Sequence, residues 1–387
     1  MIRPVNIGLS PNLEVDDFEL ALKVLIKGGD KKARQGLVEW FEDYFLGYSA
    51  VLFNSGRSAE WAIIKALELK TGDEVLYQDF TCVAVPNSVE WAGVAAIAVV
   101  TDPQTLDMDI TDLEKKINSR TKAVIVQHTF GLAANVEKIK AICETKGLVM
   151  IEDCAHALGA TYKGEKLGTF GQVAFLSLGR DKVISSVFGG VVISKDTKLI
   201  KRLRKIEDEL PENSRGWIVQ QLLHPILTWL FLPVYDLGLG KLGLWVAQKL
   251  GLLSKAVYSI EKRGGQPKYF PAKYSYQLAW LGLHQLQKLE KFNDHRRKIA
   301  EIYFEELADT ELKLPVRAKG NIYLRFTVVH PRARELYLRA KVERKWVLGD
   351  WYKSAIQVLN LPTYPGFTAN QAKELCEQLK IWLKSKK

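Results

Sequence analysis

The chain contains little cysteine and no recognisable metal-binding pattern, and these absences restrict its class. Its four cysteines are scattered along 387 residues: Cys82, Cys143, Cys154 and Cys376. Separated thiols in a chain of this length do not form a disulfide framework, so we expect a reducing, cytosolic compartment. No pair of cysteines or histidines has the spacing of a metal site, and we predict no bound metal.

Targeting and nucleic-acid signals are also missing from the sequence. The first residues, MIRPVNIGLSPNLEVDDF, contain no apolar run of signal-peptide length, which favours a cytoplasmic protein. The net charge is +11 and the isoelectric point is about 9.2, so the chain would attract polyanions. Because it has no zinc-finger, basic-zipper or RNA-platform motif, nucleic acid is not a predicted partner.

From residue 51 to residue 194, short apolar segments alternate with amphipathic ones. The runs EVLYQ (74–78), AVIVQH (123–128) and VMIED (149–153) are rich in the residues that buried strands favour. A helical pattern such as VEKIKAICETKG (136–147) lies between them. This alternation predicts an α/β fold, with a mostly parallel sheet flanked by helices in a large domain.

We divide the chain into a large domain (1–210), a hydrophobic helical insertion (211–265) and a smaller C-terminal α+β domain (266–387). An amphipathic pattern over 275–307 predicts one long helix at the start of the last segment. A strand is predicted over 322–329 and a final helix over 369–384.

The insertion contains a stretch, 216–257, that is dense in leucine, tryptophan, valine and isoleucine. Its first apolar run, 218–234, is about 17 residues long, which is the lower limit for crossing a bilayer. Two interpretations stay open: a helical hairpin buried in a dimer interface, or a monotopic element at a membrane surface. The second would place four aromatic side chains in lipid and four basic ones at the headgroups: Trp217, Trp229, Phe231 and Trp245, with Lys241, Lys249, Lys255 and Arg263.

Ligands of parallel sheets bind beyond the carboxyl ends of the strands, and two candidates for chemistry lie there. Asp153 ends VMIED and could pair with a protonated ring nitrogen, although a helix-capping aspartate explains it equally well. Lys182 follows the apolar run 174–178 and, beside the cation Arg180, could form an imine with an aldehyde cofactor. Considered alone, Lys182 is more simply a surface lysine.

A phosphate site is predicted at the same edge of the sheet. Gly56 and Arg57 begin a helix directly after the strand at 51–53. Backbone N–H groups and the dipole at a helix start bind anions, Arg57 could add charge, and Ser177 could donate a further hydrogen bond. Many helices begin in this way, so the signal is weak by itself.

Three ring-bearing residues also follow strands at this edge. Phe80 could stack on an aromatic cofactor, although an aromatic residue there is more often part of the core. His128 and His156 could orient a cofactor or move protons, and a structural role is an equal alternative for both.

The order and spacing of these signals resemble a known family. The chain has SG at a helix start (55–56), then DFT (79–81), HTFG (128–131), IEDCAHALGATYKGEKLGTFG (151–171) and S-x₄-K (177–182), followed by GG (189–190). This succession resembles the DegT/DnrJ/EryC1/StrS family of sugar aminotransferases, which use pyridoxal phosphate (PLP) and have the fold-type I architecture. The resemblance is close over 45–210 and looser over 270–387.

The resemblance implies a role for each matched residue. Lys182 matches the lysine that forms the Schiff base with PLP, and Asp153 matches the partner of the pyridine nitrogen. His156 stands where many members have glutamine, and we count it with these two as catalytic. The remaining cofactor contacts match the ring-stacking aromatic and the phosphate cradle: Phe80, Gly56, Arg57 and Ser177.

The family's reaction implies transfer of an amino group from an amino acid, usually glutamate, to a keto-sugar on a nucleotide or lipid carrier. Such a reaction would serve cell-envelope polysaccharide or glycan biosynthesis. The family's sites form between two subunits, which implies a homodimer with shared active sites. The alternative hypothesis is a PLP-binding, membrane-associated scaffold or regulator without turnover, against which the intact pair of Lys182 and Asp153 argues.

The sequence departs from the family's pattern on the substrate side. Phe188 replaces an acidic residue in the turn after the lysine, and Arg180 precedes the lysine. Pro271 stands at about the place where a neighbouring subunit usually offers an asparagine, and Lys273 could take over phosphate or substrate contact. The candidate substrate residues are therefore Arg180, Phe188, Lys273 and His128. If 216–257 contacts lipid, the protein would be peripheral on the inner face of the membrane.

Overall fold

The computed structural model describes residues 4–351 and 356–385. Nine strands lie in the first part of the chain, and seven of them form one sheet, while β6 and β7 form a small hairpin. Their bounds are β1 (Ser49–Phe53), β2 (Glu74–Gln78), β3 (Ala95–Val99), β4 (Thr121–Gln127), β5 (Val149–Asp153), β6 (Thr161–Tyr162), β7 (Glu165–Lys166), β8 (Val173–Ser177) and β9 (Gly190–Ser194).

The order of strands in the large sheet is β1-β9-β8-β5-β4-β2-β3. The five strands from β8 to β3 are parallel, whereas β9 runs antiparallel to both β1 and β8. The predicted α/β fold with a mostly parallel sheet is therefore confirmed. Because the parallel strands end at one edge, the residues that follow β4, β5 and β8 come together there.

The helix predicted over 136–147 is present as α6, one of seven α-helices in the described part of the first 210 residues. Helix α6 ends where Gly147 adopts the left-handed conformation, with φ of 64°. The bounds are α1 (Val15–Lys27), α2 (Ala33–Tyr44), α3 (Gly56–Ala66), α4 (Ala84–Trp91), α5 (Ile110–Lys116), α6 (Val136–Lys146) and α7 (Thr197–Glu209).

The insertion forms two helices, α8 (Arg215–Phe231) and α9 (Leu239–Lys249). The stretch Arg215–Val234 is long and apolar enough to cross a membrane, with a mean hydropathy of 1.3, and 39% of its apolar window is buried in the protein. Its buried face, with Leu222 and Ile226, joins the core formed by α1, α2 and the helix over 276–286. Helix α8 therefore packs as part of the large domain, and the three-segment division of the chain stays a prediction.

The long helix predicted over 275–307 is two helices, α10 (Tyr276–Leu286) and α11 (Leu289–Glu306). Lys288 lies at the break, and its Nζ contacts Asp16 at 2.6 Å and Asp17 at 3.0 Å. Apolar residues keep their helical spacing across the break, so the sequence pattern does not reveal that the helix is divided. The contacts that hold Lys288 come from a helix more than 250 residues earlier in the chain.

The C-terminal part is a three-stranded antiparallel sheet covered by helices, as the α+β prediction requires. The strand predicted over 322–329 pairs only over its second half, and the order is β10-β12-β11. The elements are β10 (Phe326–Val329), α12 (Ala333–Glu343), β11 (Gly349–Trp351), β12 (Val358–Leu361) and α13 (Ala369–Lys384). Buried aromatic residues, among them Tyr303, Phe326 and Trp382, fill the space between this sheet and α11 and α13.

Candidate active site

A cavity of about 320 Å³ opens at the carboxyl edge of the large sheet. Its lining comes mainly from the ends of β4, β5 and β8 and the loops after them, the start of α3 and the loop after β2. The insertion and the three-stranded sheet region of the C-terminal part contribute a few further residues. Nine of the eleven predicted site residues line it: Gly56, Arg57, Phe80, Asp153, His156, Ser177, Arg180, Lys182 and Phe188. The sheet topology thus brings together residues that are up to 132 positions apart in the sequence.

Lys182 and His156 are in direct contact inside the cavity, with Lys182 Nζ 2.8 Å from His156 Nε2. Burial, together with the Lys182 ammonium, lowers the pKa of His156 well below its ordinary value. The imidazole is therefore neutral at pH 7 and can accept a hydrogen bond from the lysine. The His156 ring stacks on Phe130, with centroids 5.4 Å apart. These contacts hold the amino group of Lys182 in the cavity.

Asp153 ends β5 and is 5% exposed. Its Oδ1 accepts a hydrogen bond from Ala155 N at 2.9 Å, and no cation of the described chain lies within ion-pair distance. Burial raises the pKa of Asp153, because the charged form is poorly solvated. A cation placed in the cavity would lower that pKa, so the residue fits a protonated pyridine nitrogen.

The start of α3 forms another wall of the cavity. Ser55 caps the helix, with its Oγ accepting from Ser58 N at 3.3 Å, and the N–H groups of the first helical residues lack partners within the helix. A Cβ on Gly56 would lie 2.9 Å from Ser177 Cβ and 3.0 Å from its Oγ. Only glycine lets the helix start approach β8 this closely, and the resulting cradle fits a phosphate.

The segment after α9, residues 254–269, contributes Ala256 and Val257 to the wall of the cavity, and we name it the cap. Arg57 was expected to add charge at a phosphate, but its guanidinium binds the cap instead. It donates to Ala256 O at 2.8 Å and to Tyr269 Oη at 3.1 Å, and it forms an ion pair with the buried Glu261. Only the backbone of Arg57 therefore remains for the helix start.

Two of the residues that depart from the family's pattern, Arg180 and Phe188, also contact the insertion. Arg180 donates from Nη1 to Ser254 O at 2.8 Å and from Nη2 to Ser254 Oγ at 2.6 Å. The Phe188 ring packs edge-on against Trp217 and Tyr269, each at 5.3 Å. Arg180 and Phe188 thus join the cavity to the insertion.

Two predicted substrate residues lie outside the cavity of their own chain. His128 is fully buried, its Nε2 is 3.0 Å from Glu152 Oε2, and its Nδ1 accepts from Ala134 N at 3.2 Å. The prediction of substrate contact by His128 is therefore corrected, because both ring nitrogens serve the packing of the sheet. Lys273 pairs through its backbone with Pro211 and Asn213, so a contact with a second subunit's site stays a prediction.

Among the residues of the cavity that the sequence analysis missed, three have features that bear on the site. Arg325, from the C-terminal part, pairs with Asp181 at 3.2 Å. A charged residue inside the apolar run 322–329 was the signal that could have identified it. Phe130 has φ of 52°, and no pattern predicts its position beneath His156. Glu60 is a carboxylate on the apolar face of α3, which is also a detectable anomaly.

The sequence profile of the DegT/DnrJ/EryC1/StrS aminotransferase family matches residues 23–214 and 272–347. The chain belongs to this family. The resemblance is confirmed, and the protein is a PLP-dependent sugar aminotransferase with PLP as its cofactor. The matched ranges leave out 215–271, which contain α8, α9 and the cap.

Proteins of similar sequence include named sugar aminotransferases. GDP-perosamine synthase of Vibrio cholerae is 24% identical over 394 residues, covering 92% of this chain and 93% of that protein. UDP-N-acetyl-3-dehydro-alpha-D-glucosamine 3-aminotransferase of Acidithiobacillus ferrooxidans is 28% identical over 277 residues, or 71% of this chain and 62% of that protein.

The fold agrees with solved structures of the same architecture. NtdA of Bacillus subtilis, solved with bound PMP, superposes with a TM-score of 0.76 at 18% identity, covering 100% of this chain and 86% of that one. A DegT DnrJ EryC1 StrS aminotransferase from Brucella abortus has a TM-score of 0.71 at 19% identity, with 96% of each chain covered.

Proposed function

We propose that this enzyme transfers the amino group of glutamate to a keto-sugar on a nucleotide or lipid carrier, for cell-envelope polysaccharide or glycan biosynthesis. The observation that carries the proposal is that Lys182, Asp153 and the start of α3 surround one cavity. The GDP- and UDP-sugar names of the relatives support a nucleotide-linked acceptor. Membership of an aminotransferase family disfavours the alternative of a scaffold without turnover.

Different residues would hold different parts of the cofactor. Asp153 would keep the pyridine nitrogen protonated, and Phe80 would stack on the ring. Gly56 and Ser177, with the backbone N–H of Arg57, would bind the phosphate. When bound, PLP supplies an electron sink for a carbanion at the reacting carbon of the amino donor.

Proton movement is the part of the reaction that this chain's own side chains would perform. Lys182 would remove the proton from the donor's reacting carbon. It would then return a proton, so that the amino group leaves the donor. His156, being neutral, accepts a hydrogen bond from Lys182 Nζ and so orients the amino group. The cap would exclude water from the cavity above these groups.

The test of the proposed function is spectroscopic and uses the holoenzyme. The purified protein should be yellow, glutamate should remove the colour, and a nucleotide-linked keto-sugar should restore it. Each half of the reaction is thereby measured separately. A protein that remains yellow with every amino donor would contradict transamination, and one that loses colour but accepts no keto-sugar would contradict the acceptor.

We also propose a homodimer with shared active sites. Lys273 lies outside the cavity of its own chain, which would leave it available to the site of a second subunit. A mass measurement in solution should give twice 43.8 kDa. A strict monomer with full activity would contradict shared sites.

A further part of the proposal is peripheral contact of the insertion with a membrane. Nine of the nineteen exposed large hydrophobic side chains in the described chain lie between Val219 and Leu252. Of the four aromatic residues expected to enter lipid, Trp245 alone is classed as exposed, whereas Trp217, Trp229 and Phe231 pack against the protein. The apolar surface is therefore on α9 rather than α8, with Lys241 and Lys249 beside it.

Charged substitutions on α9 test this contact without disturbing the core. Leu242→Glu with Trp245→Glu should reduce flotation with vesicles that contain an anionic phospholipid. The matched control, Leu338→Glu with Val342→Glu, places the same charges on exposed apolar positions of α12. Equal flotation of the wild type and the α9 variant would contradict membrane contact.

A further inference from the structure

Arg180 carries a buried positive charge for which the described chain provides no counter-ion within 4.0 Å. It is 8% exposed and lines the cavity together with Lys182. Burial lowers the pKa of Arg180 to about 10, which leaves the guanidinium charged at pH 7. The adjacent carboxylate of Asp181 is engaged by Arg325 at 3.2 Å. A buried charge without a partner is costly, so the site favours an anion.

The hydrogen bonds of Arg180 leave part of the guanidinium unused. Of its five N–H donors, one on each Nη binds Ser254, and Nε is buried with no partner in the described chain. Both acceptors on Ser254 are neutral and cannot replace a negative charge. The Phe188 ring, 5.4 Å from the guanidinium carbon, offers only a cation–π contact.

The insertion holds this guanidinium in position. Ser254 Oγ accepts from Arg180 and donates to Gln221 Oε1 at 2.6 Å, which connects the cap to α8. Gln221 in turn donates to the backbone oxygen of Trp217 at 3.0 Å. This chain of hydrogen bonds fixes the guanidinium of Arg180, a residue that lines the cavity, before any ligand arrives.

We propose that Arg180 is an anion-binding residue of the substrate pocket, and that its ligand is a carboxylate of the amino donor or a phosphate of the acceptor's carrier. Both groups match the planar fork of a guanidinium. The inference rests on the proposed function, because it assigns a place to one of the two substrates of that reaction.

The experiment measures the binding of two unreactive probes to the PLP-loaded enzyme, in which the cofactor's own phosphate site is filled. Glutarate is a dicarboxylate without an amino group, and GDP is a nucleoside diphosphate without a sugar. Calorimetric titration of wild type and Arg180→Met should show binding of one probe at least about tenfold weaker in the variant. Weaker binding of glutarate would identify the carboxylate of the donor as the ligand of Arg180. Weaker binding of GDP would identify the phosphate of the acceptor's carrier.

Ser254→Ala is the matched control, because it removes a neutral hydrogen-bond partner and keeps the charge. It should weaken the binding of the same probe by less than Arg180→Met does. If Arg180→Met does not retain PLP, Arg180→Lys replaces it, since lysine keeps the charge and loses the fork. Probe affinities that are unchanged in the substituted holoenzyme would overturn the proposal.

The same titrations separate this proposal from the function on which it rests. Failure of the proposed function appears as wild-type enzyme that transfers no amino group to any keto-sugar. Failure of the Arg180 proposal appears as wild-type and variant enzymes that bind both probes equally.

Discussion

The floor of the active site and its cap differ in how they are built. The floor consists of residues at strand ends, Asp153, Ser177 and Lys182, within the part of the chain that matches the family. The cap is residues 254–269, which follow two helices that the family profile does not match. The floor suits a cofactor that every member of the family shares, whereas the cap can vary with the substrate.

The two regions are joined by buried polar contacts. Arg57 pairs with Glu261, and Arg180 bonds with Ser254. Buried ion pairs add little net stability, because desolvation offsets their attraction, but breaking one leaves an uncompensated charge. We infer that these contacts determine where the cap lies more than how stable the protein is.

The largest expected effect comes from removing the floor's amino group. Lys182→Ala should lower turnover by at least about 10³-fold, since it deletes the group that we propose moves protons, and the yellow colour of the lysine-bound cofactor should be lost. Stopped-flow absorbance with glutamate measures both. Lys163→Ala, at an exposed lysine paired with Glu137, is the control and should behave as wild type. Retained turnover in Lys182→Ala would remove Lys182 from the mechanism.

The second effect tests the charge of Asp153. Asp153→Asn keeps the shape of the side chain and removes its charge, so turnover should fall by about 10²-fold and PLP should dissociate more readily. Dialysis followed by absorbance measures the loss of cofactor. Asp109→Asn serves as control, because asparagine can cap α5 as the aspartate does. If Asp153→Asn held PLP as firmly as the wild type, the assigned pairing would be wrong.

A smaller effect is expected from releasing the cap. Glu261→Gln leaves the partly buried Arg57 without its counter-ion, so the cap should open more often. Trypsin should then cleave at the exposed Lys255 and Lys262 about tenfold faster or more. The KM for the keto-sugar should rise while the donor half-reaction stays within about twofold.

The control for the cap is Glu137→Gln, which breaks the exposed pair with Lys163 and should change neither measurement. Equal changes in both half-reactions would show that Glu261 supports the whole site rather than its cap. Such a result would contradict the distinction between a floor that suits the cofactor and a cap that varies with the substrate.

The smallest effect concerns the buried Glu60 on the floor side. Burial and the Asp153 carboxylate raise the pKa of Glu60 well above its ordinary value. Glu60 therefore contributes its full stability at pH values below its pKa in the unfolded chain. This contribution is lost as the pH rises through its pKa in the folded protein. Glu60→Gln stays neutral, so it should gain stability over wild type on the order of 1–3 kcal/mol between pH 5 and pH 8.

Urea unfolding of the cofactor-free protein at these two pH values measures the gain. Glu68→Gln, at an exposed glutamate paired with Arg202, is the control and should show no pH-dependent difference. A stability difference for Glu60→Gln that is the same at both pH values would mean that titration of the carboxyl does not cause it.

Sequence patterns predicted the structure most accurately where a residue's environment follows from its neighbours in the chain. The strands at 74–78 and 149–153 appear with the predicted bounds, because apolar β-branched runs between turn signals specify them locally. The pattern failed at Lys288, where contacts with α1 divide a helix that its own periodicity continues. It also left His128 undecided, since only Glu152 and Ala134 show that the ring is structural.

The sequence by itself indicated the sheet, because local propensity and the spacing of apolar runs specify strands and helices. It also contained the motif order, and through the resemblance to the family that order indicated the residues for PLP chemistry. Only the tertiary structure decided that the end of the insertion and the residues after it form the cap, that Arg57 binds Glu261, and that Arg180 has no counter-ion within 4.0 Å in the described part of the chain. The physical reason is separation: these contacts join residues 74 or more positions apart, and hydrophobic packing of α8 on the core brings them together. No pattern within a window of neighbouring residues contains that information.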